Sequence, residues 1–113
     1  MILKTILDYL NSYNGLGATA YAETPINTPS KYILLEQIGS SKENLIKTTR
    51  IAFQSIAPTL FEAASLAEDV INAIDNAISL NVVCSVDLNS NYNFTNTATK
   101  QYRYQTVFDI IHY

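Results

Sequence analysis

Residues 45–79 read LIKTTRIAFQSIAPTLFEAASLAEDVINAIDNAIS, and the change of period inside this stretch decides the fold. Up to Ile56 the pattern alternates. Ile51 and Phe53 share one face with Thr49, while Arg50, Ala52 and Gln54 take the other, as a half-buried strand requires. After Pro58 the apolar residues fall at helical spacing, with Leu60, Ala63, Ala67, Val70, Ile71, Ile74 and Ile78 in one stripe. Glu62, Ser65, Glu68, Asp69, Asn72, Asp75 and Asn76 face away. Thr59 and Glu62 form a T-x-x-E capping box, whose side chains satisfy backbone donors at the helix start. The helix is expected to run to about Ile78 and to end at Ser79-Leu80-Asn81.

The same logic extends in both directions. Toward the N-terminus, Ile2, Leu3, Ile6, Leu7 and Leu10 make the apolar stripe of a helix over 2–13. Asn14-Gly15-Leu16-Gly17 stops it, with Gly15 placed for a left-handed cap. A short extended stretch spans Ala18 to Glu23. Pro25 and Pro29 mark a loop, because neither fits a central strand. Tyr32 to Ile38 reads as a strand, Gly39 to Asn44 as a turn cluster, and Leu45 to Ile56 as the second arm of a long-looped hairpin. Toward the C-terminus, Val82, Cys84, Val86 and Leu88 alternate with Val83, Ser85, Asp87 and Asn89. Asn89 to Thr99 is polar and turn-rich. Gln101 to Tyr113 is a last strand, with Tyr102, Tyr104, Thr106, Phe108 and Ile110 on one face. The order α-β-β-β-α-β-β predicts a two-layer α+β domain over 1–113, an antiparallel sheet of four to five strands covered by two helices.

Composition narrows the function. The chain has 113 residues, 48% of them apolar and only 15% charged, with a net charge of −3. It buries a core and is not a disordered chain. With 7 Lys+Arg it makes a poor binder of phosphate backbones, so no sequence-specific nucleic-acid binding is expected. The start, Met1 to Asp8, is too interrupted for a secretion signal, and no stretch has the length of a membrane span. The expectation is a soluble protein made in a cytoplasm.

No residues carry recognisable catalysis. Cys84 and His112 are the lone cysteine and histidine, so neither an internal disulfide nor a four-ligand zinc site can form. Cys84 is expected as a small buried hydrophobe and His112 as a surface residue of an edge strand. Glu62, Glu68, Asp69 and Asp75 read as the solvated face of a helix. Tyr102, Tyr104 and Phe108, with Lys100 and Arg103, could form a base-stacking platform, but the acidic balance favours a core face grading into an interface. Expected catalytic, cofactor-binding and metal residues are therefore none. Abundant Tyr and Asn suit surfaces that pack on other proteins, and an apolar strand running to the last residue calls for cover, for which a partner chain is one source.

The order of elements resembles that of the tail-terminator (tail-completion) proteins of siphophages. The resemblance runs over nearly the whole chain. It consists of an N-terminal helix ending at Asn14-Gly15, Glu23-Thr24-Pro25, and the segment from Pro29 through Tyr32 to Glu36. Gly39 with its polar turn follows, then Arg50-Ile51-Ala52-Phe53-Gln54, the Ala-rich helix from Glu62, and Arg103-Tyr104-Gln105-Thr106 before the last apolar strand. It implies a structural virion protein, not an enzyme. The subunit would form a ring with itself, expected to be a hexamer, that caps the head-proximal end of a tail tube, stops its polymerisation and meets the head-tail connector. DNA would pass through the ring. It implies tail tube protein and connector protein as partners, no membrane and no cofactor. Candidate subunit or partner contacts are Lys42, Glu43, Asn91, Tyr92, Phe94 and Tyr113. Three alternatives stand beside it: another neck component, such as a stopper or adaptor; a small dimeric enzyme or α+β ligand-binding module with a pocket between sheet and helix; and a regulatory binding module.

Overall fold

A computed structural model describes residues 1–113. Its elements are α1 (Ile2–Ser12), β1 (Thr19–Tyr21), β2 (Tyr32–Glu43), β3 (Ile46–Ala57), α2 (Leu60–Asp75) with a following 3-10 turn (Asn76–Ser79), β4 (Val83–Asn93) and β5 (Tyr102–His112). The fold is α+β, with the strands in one five-stranded sheet of order β1-β2-β3-β5-β4. All neighbours pair antiparallel except the three-residue β1, which runs parallel to β2.

Both helices lie on one face of the sheet and share a single core. Ile6 and Leu10 of α1 and Leu66, Val70, Ala73 and Ile74 of α2 are buried against Ile33, Leu35, Ile51, Phe53, Phe108 and Ile110. The rings of Phe53 and Phe108 meet edge-on at 6.1 Å, a favoured aromatic geometry. Small residues on α2 (Ala63, Ala67, Ala73) let the helix approach these rings. Thr59 caps α2 by accepting the Glu62 backbone N–H at 3.2 Å, so the Thr half of the capping box is formed. The two helices are tied together where the Tyr9 hydroxyl donates to the Ala73 carbonyl at 2.6 Å, and burial there pushes the Tyr9 phenol up. The side-chain amide of Asn11 both donates to and accepts from the Ala20 backbone, and so satisfies the outer edge of β1.

Several sequence expectations are corrected, each for an identifiable reason. The α2 stripe keeps Ala63, Ala67, Val70 and Ile74 of the expected one but is wider. Leu66, Ala73 and Ala77 are also buried, whereas Leu60 is exposed in the first turn and Ile78 is exposed because the α-helix ends at Asp75 and the residues after it wind as 3-10. No glycine has positive φ. A Cβ at Gly15 would instead lie 2.9 Å from the Tyr13 ring, so a larger residue there would have to displace that ring. Most of the expected turn cluster, Gly39–Glu43, is strand rather than loop. The hairpin closes in a two-residue turn, Asn44-Leu45, with Asn44 at φ 57°. Asn89–Asn93 likewise belongs to β4.

In β4 the register slips at Cys84, so Val83 joins Val86 on the core side; Val82, ahead of the strand, is exposed, and Leu88 is exposed although it keeps the face of Val86, opposite Phe108. Cys84 is accordingly half-buried. The last strand is not an edge, because β3 and β4 flank it. His112 is therefore buried. Its Nδ1 donates to the Tyr113 carbonyl, which can only accept, at 3.0 Å, and its Nε2 shares a hydrogen bond with the Thr49 hydroxyl at 2.8 Å. Phe108 is in the core, so no stacking platform of Tyr102, Tyr104 and Phe108 exists.

Two stability measurements check this core. Phe108→Ala should lower the unfolding free energy by about 3–5 kcal/mol in urea titration, as truncation of a buried aromatic does. Ser55 Oγ is fully buried without a hydrogen-bond partner, and Ser55→Ala should raise stability by about 1 kcal/mol.

Candidate functional site

Because both helices share one core, no helix covers the second face of the sheet. Register assigns its residues. A row runs across all five strands through Tyr21, Leu34, Gln54, Gln105 and Tyr92. The next row holds Glu36, Ala52, Val107 and Ser90, and the one beyond it Arg50, Asp109 and Asp87.

Side chains within these rows are locked to one another. The Gln54 amide donates to Gln105 at 3.3 Å, and Gln105 donates to the Tyr92 hydroxyl at 2.6 Å. Arg103 donates to Gln54 at 3.4 Å and to the Phe94 carbonyl at 2.9 Å, and its guanidinium lies 4.8 Å over the Phe94 ring. Tyr92 and Phe94 meet edge-on at 5.9 Å. This corner of the face is thus a pre-ordered patch of two aromatics, an arginine and two glutamines, the residue types that give contact area at small entropic cost.

A second polar group sits further along. Arg50 Nε donates to Asp109 at 2.8 Å, and Asn89 donates to the other carboxylate oxygen at 3.2 Å. The Arg50 hydrogen bond holds the Asp109 carboxyl below its usual range, assisted by Asn89 and opposed by partial burial. Asp87 lies directly opposite Asp109 on β4, and Arg50 offsets the repulsion of like charges in register.

The expected contact residues are dispersed. Tyr92 and Phe94 are brought together on the open face. Asn91, one residue away, points to the helix side and accepts from the Thr106 hydroxyl at 3.0 Å. Lys42 and Glu43 lie on the β2–β3 arm, split between the two faces by the pleat. Tyr113 lies beside β4, its backbone N–H donating to the Val82 carbonyl, and the neighbouring Cys84 thiol raises its phenol. The sequence reading missed Gln54, Gln105, Arg103, Arg50 and Asp109 as a unit. Alternation had already placed Arg50 and Gln54 on one face of their strand and Arg103, Gln105 and Asp109 on one face of theirs. The pairing of β3 with β5 was the missing signal.

Both sheet edges remain open. β1 pairs only with Tyr32–Leu34, so Leu35–Glu43 has one unpaired side, and β4 has no neighbour beyond it. No group of three or more His, Cys, Asp or Glu side chains is arranged to hold a metal ion, and no helix is long and apolar enough to cross a membrane. No protein-family model matches the chain, and a search of the curated proteins found no match.

A pH series checks the Arg50–Asp109 pair. A carboxyl whose folded pKa is depressed stabilises above its unfolded pKa and loses that contribution as pH falls through the folded one. Asp109→Asn should therefore lower the urea midpoint at neutral pH, and the gap from the parent should close in acid, below the ordinary carboxylate range.

Proposed function

We propose that this chain is a structural subunit that works by assembly. In this reading it is a siphophage tail terminator, whose ring of identical copies caps the head-proximal end of a tail tube and meets the connector. The observation that carries an assembly role is the sheet face left without a helix. On it, Tyr92, Phe94, Arg103, Gln54 and Gln105 are already fixed by mutual contacts, so little side-chain freedom is lost when a partner docks. The open edges of β2 and β4 add backbone groups that a neighbouring protein can pair. The choice of a tail terminator rests on the order of elements and the segments that resemble that family.

The deciding experiment is mass by light scattering over a concentration series, alone and with purified tail tubes. A ring in solution, or a monomer that becomes a ring on tube ends, is expected. A monomer or dimer that ignores tubes would sink the proposal. The double variant Tyr92→Asp/Phe94→Asp should keep the parent circular dichroism spectrum and lose tube capping.

A further inference from the structure

The largest concavity, about 470 Å³, lies between the start of α1 and the β2–β3 arm. Its polar lining includes Gln37, Ser40, Lys42, Lys47, Thr49 and His112. Lys42 and Lys47 are cross-strand partners. The bulge at Ile38 puts them there, because the register shift between Gln37 and Gly39 moves Lys42 onto the helix-side face with Lys47. Like charges in register are destabilising, and this pair has no compensation. The chain's ion pairs are Lys4–Asp8 and Arg50–Asp109, and neither lysine takes part. Glu43 is adjacent in sequence but faces the other side of the arm. His112 adds no counter-charge, since an imidazole carries no negative charge, and its ring nitrogens are engaged with Thr49 and Tyr113.

The complementary surface is on the same chain. α2 carries Glu62, Glu68, Asp69 and Asp75 and no Lys or Arg, and none of these acids is ion-paired. Glu68, Asn72 and Asp75 form one exposed stripe. Its two carboxylates are about 10 Å apart along the helix, from a rise of about 1.5 Å per residue. Asp75 ends the helix, where the dipole favours a cation, and no basic residue occupies the last turn. Each surface holds uncompensated charge that the other would neutralise.

We infer that the Lys42–Lys47 groove of one copy receives the Glu68–Asp75 stripe of α2 from a second copy. The inference rests on the assembly reading above and names its subunit contact. The two surfaces differ, so the contact is head-to-tail, the kind that closes into rings by rotation.

Charge reversal tests it, with circular dichroism checking that each variant folds. K42E/K47E should raise the concentration for half-assembly by at least about tenfold, because apposed acids replace an attractive contact. Adding E68K/D75K to the same chain should restore assembly at low salt. Rings that form equally well from parent and K42E/K47E would overturn the inference and leave the assembly reading standing. So would a loss that E68K/D75K does not repair, which would assign the groove to another surface or protein. Inorganic phosphate that shifts Lys42 and Lys47 NMR signals without weakening assembly would mark an anion site and also overturn it. A parent that stays monomeric both alone and on tubes would sink both readings.

Discussion

The structure depends on one packing contact, the apolar stripe of α2 laid over the centre of the sheet. Leu66, Val70 and Ile74 press on Ile51, Phe53, Phe108 and Ile110, and α1 extends the same layer with Ile6 and Leu10. β3 and β5 meet beneath α2, so the two longest-range strands in sequence are joined by the helix between them. Small side chains on α2 bring its backbone close to the Phe53–Phe108 pair. A larger residue at Ala67 or Ala73 would hold the helix away from both rings.

This contact covers one face and leaves the other to side chains. A sheet face without a covering layer ordinarily turns toward solvent or toward another protein. Here its centre is small or apolar (Ala52, Val107), its flank is a hydrogen-bonded lattice, and its far end is an ion pair that offsets two aspartates in register. Order of this kind is costly to maintain in an isolated surface. It is consistent with a face that meets a partner, and the proposed ring would supply one.

Much of the fold was legible because periodicity reports burial directly. The Ile51/Phe53 alternation, the α2 stripe and the order of elements all follow from which residues must leave water. The errors came where local pattern and register disagree. Val82, Cys84, Val86 and Leu88 alternate well, yet the bulge at Cys84 exchanges faces and sends Val83 inward. His112 looked terminal and exposed because nothing local shows that β5 lies between β3 and β4. The contact residues Tyr92 and Phe94 share a face, whereas Asn91, between Ser90 and Tyr92 on the open face, is turned by the pleat to the helix side.

By itself, the sequence determined the class of the domain, the identity of its helices and the two faces of β3 and β5, because each depends on neighbours within a few residues. Only the tertiary structure decided which strands pair and where bulges shift their register. Those choices set Gln54 beside Gln105, Arg50 beside Asp109 and Lys42 opposite Lys47. A one-residue shift changes the face of every side chain beyond it, and its energy is settled by contacts across the sheet that no local pattern contains.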